Sequence, residues 1–211
     1  SRLSQRRADA ESNAAYHERQ WLAFRKQLDD QTEASPVLAE RTEASRLAHQ
    51  AERQRLAVIN QRLGRLSTMR EVWERRFDLL EDTAEPKARS NWRGEVEEQL
   101  RNLDLEAKTQ QATLAGLRRE MTALEARIDA VKQETPEAAR WVEAQLQHLR
   151  ESVEVAEQNL GSIEDSRSLH AKLLAQIVGD EQAVTASQRF EDTKKWIQDA
   201  WNQEIVSVDD R

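Results

Sequence analysis

Between Val96 and Val131 a seam residue recurs every three or four positions without a break: Val96, Leu100, Leu103, Ala107, Gln110, Leu114, Leu117, Met121, Leu124, Ile128, Val131. A second series follows it: Val142, Leu146, Leu149, Val153, Ala156, Leu160, Ile163, Arg167, His170, Leu174, Ile177. Alternating three and four places side chains on one stripe of an α-helix and on both faces of a strand, so these stretches are helices. Sustained over many turns, the pattern is a heptad seam, which buries itself only against another helix. The N-terminal half of the chain repeats it more loosely. Leu56, Ile59, Leu63, Leu66, Trp73, Phe77 and Leu80 form one series, and Leu3, Ala10, Ala14, His17, Trp21, Phe24 and Leu28 another.

Breaks are few. The 211 residues include 5 glycines and 3 prolines, and the prolines stand at 36, 86 and 136. Proline lacks an N–H and fixes φ, which suits the first turn of a helix. Ser35 and Thr135 precede two of them as N-caps, whereas Pro86 has no such residue before it, so its helix is expected to start later, at Ser90 or Asn91. The segments predicted as helical are 2–31, 36–82, 88–134, 136–178 and 186–203; Gly179 ends the fourth, and Thr185 with Gln188 caps the fifth. The expected fold class is all-α: long antiparallel helical hairpins in an elongated, coiled-coil-like bundle, with residues 1–185 as the bundle and 186–211 as an amphipathic helix and short extended linker. At ~1.5 Å per residue the longest helices are rods of roughly 65–70 Å. The short joint at Glu134-Thr135-Pro136 fits either a hairpin or a kinked continuous helix.

Composition agrees: 38% of residues are hydrophobic and 34% charged, which suits thin bundles burying one stripe per helix. Net charge is −7, and basic pairs such as Arg75-Arg76 and Arg118-Arg119 sit beside acids, so no basic surface for nucleic acid is expected. Exposed faces carry acid-to-base spacings of four at Glu71/Arg75, Glu97/Arg101, Asp104/Lys108 and Glu191/Lys195. There is no cysteine, so thiol catalysis and Cys-ligated metals are excluded. No run of ~18 apolar residues is present for a membrane span. A start at "SRLSQRRADA" without Met and a stop at Arg211 read as a piece of a longer protein or a processed one.

Catalytic motifs are missing: no Gly-rich phosphate loop, no nucleophile elbow. Di-iron bundles place a Glu three residues before a His, but Ala14, Arg46, Gln145 and Arg167 stand before the histidines His17, His49, His148 and His170. His49 and Glu52 form an H-x-x-E read as isolated, while His17 and His170 fall on seams. No catalytic residue, cofactor, metal or small-molecule substrate is expected. Thr42, Ser45, His49 and Glu52 weaken the first half of the second helix, which is expected to be a frayed arm or a surface for a partner. Trp21, Trp73, Trp92 and Trp141 lie near helix ends, where bulky side chains plug a bundle. Trp196 and Trp201 differ, standing on the last short helix before "EIVSVDDR". Tryptophan favours membrane–water interfaces, so these two, with Ile205, Val206 and Val208, are the candidate membrane-proximal or interface contacts.

The segment "KKWIQDAWNQEIVSVDDR" resembles a stretch of large bacterial channels of the small-conductance mechanosensitive (MscS-like) superfamily. In these a Trp-containing helix is followed by "E-[IL]-[FV]-[ST]-V-D-[GD]-[RK]" and then by transmembrane helices. Trp201, Glu204, Ile205, Val206, Ser207, Val208, Asp209, Asp210 and Arg211 carry the match, with Asp210 where glycine is usual. The resemblance implies a periplasmic helical domain preceding the membrane region, on the outer side of the bacterial inner membrane. Its partners would be the rest of the same channel polypeptide, neighbouring subunits and the membrane surface. The alternative is a coiled-coil adaptor or scaffold of a cell-envelope assembly.

Overall fold

The structure is a computed structural model that describes residues 2–31, 35–81 and 86–178, without the side chains of residues 2 and 86–90. Among the described residues there are four helices and no strand: α1 (Arg2–Asp29), α2 (Pro36–Leu80), α3 (Pro86–Glu134) and α4 (Pro136–Val178). The expected fifth helix at 186–203 and the division at 185/186 lie outside the described residues.

The boundaries follow from capping chemistry. The Leu38 amide donates to Ser35 Oγ at 3.3 Å and the Ala39 amide to the Ser35 carbonyl at 3.0 Å, leaving Pro36 at the first helical position, where a missing N–H is harmless. One residue separates α3 from α4. The Thr135 amide closes the last turn of α3 on the Val131 carbonyl at 2.8 Å, and the Thr135 carbonyl accepts from the Ala138 amide at 2.9 Å to open α4. α3 starts at Pro86, earlier than the expected Ser90 or Asn91, because a proline in the first turn does not require a side-chain cap before it.

The described residues form two compact units, one made of Leu3–Gly64 with Glu106–Ile163 and the other of Arg65–Leu105 with the residues from Glu164 on. In the first unit four helical segments run up, down, up and down. α3 and α4 fold back as a hairpin, not a kinked rod: Arg118 pairs with Glu157 at 2.6 Å, Glu125 with Arg150 at 3.3 Å and Lys132 with Glu143 at 3.0 Å. Both helices step by seven residues between these pairs, one forward and one backward, so the ladder sets an antiparallel register. α1 folds back on α2 likewise, with Arg41 3.9 Å over the Phe24 ring and His49 3.0 Å from the Ala14 carbonyl. Gln145 reaches Glu40 and Asn159 reaches Gln61, so α2 and α4 are parallel.

The first half of α2 is no frayed arm. Ala44, Ser45, Leu47, Ala48 and Ala51 are all buried, because small side chains let neighbouring backbones approach and close the bundle without large apolar residues. In the second unit Val72 of α2, Val96 of α3, and Leu169 and Leu173 of α4 form a closed aliphatic core, flanked by Met69, Trp73, Leu79, Leu100, Leu174 and Ile177.

The α3 seam is buried or half-buried throughout, as expected. The α4 seam is wider than its spacing suggested. Besides Val142, Leu149, Ala156 and Ile163, it buries Gln145, Ser152, Asn159 and Ser166 at seven-residue intervals. Ser166 and Leu169 take the interior places near 167, and Arg167 turns outward to meet Asp104 at 2.6 Å. Charged partners also differ from the i,i+4 ones expected. Arg75 reaches Glu95 on another helix at 2.7 Å, and Glu97 accepts from Arg93 at 2.9 Å.

Candidate functional site

The interface residues named from sequence, Trp196, Trp201, Ile205, Val206 and Val208, lie outside the described residues. The described helices concentrate their unusual chemistry in the interior of the first unit, where polar side chains join the helices at three levels.

At one level Glu40 of α2 accepts from Gln145 of α4, whose Nε2 lies 2.8 Å from its Oε2 and 3.0 Å from its backbone carbonyl, while Arg127 of α3 pairs with the same carboxylate. At another, Asn159 Nδ2 of α4 donates to Gln61 Oε1 of α2 at 3.1 Å and to Gln110 Oε1 of α3 at 3.3 Å, and Gln110 Nε2 returns a bond to the Ala156 carbonyl at 3.0 Å. Each junction ties three helices. A buried amide must find partners, so these bonds are costly to break and specific to one alignment of the helices.

At the third level three of the four histidines gather. The rings of His17 (α1) and His148 (α4) lie 6.3 Å apart at 64°, and Tyr16 meets His17 edge-on at 5.2 Å. His49 (α2) stacks on Trp21 at 6.1 Å, and its Nδ1 contacts the Ala14 carbonyl at 3.0 Å, an approach that requires the proton on Nδ1. His148 Nδ1 lies 3.3 Å from Glu151 Oε2. Glu52 completes the group: its Oε1 holds Arg55 at 3.2 Å, and its Oε2 is buried without a hydrogen-bond partner among the described residues.

His49-x-x-Glu52 is therefore not isolated. His148-x-x-Glu151 is a second copy, visible in the sequence, and the parallel course of α2 and α4 brings the two copies around His17. Both glutamates stand three residues after their histidines, the reverse of the order found in di-iron bundles. Burial, reinforced by the neighbouring His148, holds the His17 imidazole below its ordinary range; Glu52 and Glu151 oppose this and His49 adds to it. Among the described residues no group of three or more His, Asp or Glu side chains has the arrangement of a metal site.

Trp21, Trp73, Trp92 and Trp141 are half-buried, each with a guanidinium on its face. Arg25 lies 5.9 Å over Trp21, Arg76 4.7 Å over Trp73, Arg75 5.6 Å over Trp92, and Arg41 and Arg140 both 5.1 Å over Trp141. Such contacts contribute ~0.5–2 kcal/mol each and let a large ring close the bundle edge without being sealed from water. In the second unit Arg76 is buried, its Nε donating to Gln176 Oε1 at 2.6 Å, and burial lowers its pKa to about 10. His170, also buried, donates from Nδ1 to the Ser166 carbonyl at 2.7 Å. Among the described residues no helix is long and apolar enough to cross a membrane. No family model, no curated protein and no solved structure matches this chain.

Proposed function

We propose that this chain is a non-catalytic periplasmic helical domain of a mechanosensitive ion channel of the MscS-like superfamily, which scaffolds or modulates the channel. The observation that carries the reading is the stretch "WNQEIVSVDDR", the form that in such channels joins an extramembrane helix to the first transmembrane segment. Support comes from the chain before it. Its described helices fold into hairpins whose polar interior is spent on holding helices together, an arrangement suited to a passive strut. In this reading the chain's partners are the remainder of the channel polypeptide, neighbouring subunits and the membrane surface. Trp196, Trp201, Ile205, Val206 and Val208 are the membrane-proximal contacts.

The coding sequence after Arg211 tests this first. Apolar segments of ~20 residues should begin at once, and a reporter fused within α3 should be active only outside the inner membrane. A polar continuation, or a cytoplasmic reporter signal, removes the channel reading and leaves a coiled-coil adaptor of an envelope assembly. Lipid contact has its own test. Trp196→Phe and Trp201→Phe should abolish any blue shift of tryptophan emission on adding anionic liposomes, and no shift in the parent protein eliminates those contacts.

A further inference from the structure

We propose that His17, His49 and His148 form an acid-sensitive latch that holds α1 against α2 and α4 while the His17 imidazole is neutral and releases it when His17 is protonated. The inference is independent of the channel reading, because it rests on the interior of the first unit alone.

α1 is attached thinly. Its fully buried residues are Ala10 and Ala14, which offer little apolar area, and its larger stripe residues Leu3, Trp21, Phe24 and Leu28 are half-buried. The histidine group occupies the middle of that stripe. His49 is hydrogen-bonded to the α1 backbone at Ala14 and stacked on Trp21, and His17 contacts His148. Three contacts from α1 to its neighbours thus pass through imidazoles.

The groups facing His17 are His49 and Glu52 from α2 and His148 and Glu151 from α4. Glu151 contacts His148, and Glu52 holds Arg55 through one oxygen while its other oxygen is buried without a hydrogen-bond partner among the described residues. Both acids oppose the lowering of His17 but do not outweigh burial and the neighbouring imidazoles. A proton on His17 therefore enters a partly desolvated site shared with two other imidazoles. Released into water, His17 returns to its ordinary value of 6.5, so the released helix binds the proton more readily than the docked one. Docking is complete above that value and weakens as pH falls toward the lower value of the docked state. For each unit of that difference the open population rises about tenfold.

Hydrogen exchange followed by mass spectrometry on the intact protein, corrected for the intrinsic pH dependence of exchange, tests this between pH 7.5 and 5. Protection of residues 3–29 should fall relative to residues 106–134 as the solution is acidified, and His17→Gln should flatten that response. Should His17→Gln lose helix content at pH 8, His148→Gln serves instead: with that neighbouring imidazole gone, the docked value of His17 moves back toward 6.5, so the acid-induced loss of α1 protection should shrink. Equal protection loss in both segments, an unchanged response in His17→Gln, or an undiminished response in His148→Gln overturns the latch.

Discussion

The two units solve the same packing problem with different interiors. In the first, buried alanines stand beside aliphatic residues such as Val142 and Ile163: Ala44, Ala48, Ala51 and Ala156 bring the backbones close, and Gln145 and Asn159 bond across to neighbouring helices. In the second, the core is Val72, Val96, Leu169 and Leu173, with Arg76 and His170 also buried and no buried alanine among the described residues. Aliphatic cores supply transfer free energy in proportion to area but tolerate sliding, because leucine against leucine is nearly degenerate. Directional bonds between amides supply less net energy but accept one register. The first unit thus adds amide bonds between helices and close alanine contacts to its aliphatic residues, while the second centres on one aliphatic cluster.

Truncation should separate the two most sharply. Leu173→Ala in the second unit should cost ~2–5 kcal/mol in chemical denaturation, because the side chain is fully buried in an aliphatic cluster. Replacing the buried amide, Asn159→Ala, should cost ~1–3 kcal/mol, mostly from its lost bonds and from half-buried Gln110 left without its donor, since Gln61 is exposed to water. The double variant Asn159→Ala with Gln110→Ala should then lose less than the two singles combined. Full additivity would mean the bonds carry no alignment energy and would erase the distinction between the units.

A pH measurement sharpens the comparison from the other side. Burial, with help from Arg75, holds His170 below its ordinary range, against the opposing bond to the Ser166 carbonyl. The unfolded chain therefore binds the proton more readily. The stability associated with neutral His170 is complete above pH 6.5 and falls as pH drops toward the folded value. Unfolding followed at pH 8 and pH 5 should show an acid loss reduced in His170→Gln; an undiminished loss would place the titrating group elsewhere. The smallest effect is expected on the surface. Glu125→Gln removes one rung of the α3–α4 ladder between half-exposed partners and should change stability by ~0.2–1 kcal/mol, less at high salt.

Much of this was legible in the sequence, for physical reasons. Heptad spacing reports which stripe is buried, so the α3 seam emerged residue by residue, and Ser35 and Thr135 marked two helix starts. Where polar residues are buried, spacing misleads. Arg167 fitted the seam by count, but a guanidinium beside Asp104 is better placed at the edge, and Ser166 takes the interior. Thr42, Ser45, His49 and Glu52 looked like an unpacked arm because hydrophobicity alone cannot register that alanine and serine allow close helices. The histidine group was half legible, as two H-x-x-E copies. Their meeting at His17 depends on α2 and α4 running parallel, which only the tertiary fold decides.

Both interiors require α3 to turn back on itself at Thr135. The chain has no cysteine, so spin labels can be placed at will. With Arg118→Cys and Glu157→Cys labelled, the hairpin predicts a distance of roughly 10–20 Å, the salt-bridge separation plus two label arms. These positions are 39 residues apart, so at ~1.5 Å per residue a continuous helix would hold them about 60 Å apart, and that result would contradict the account.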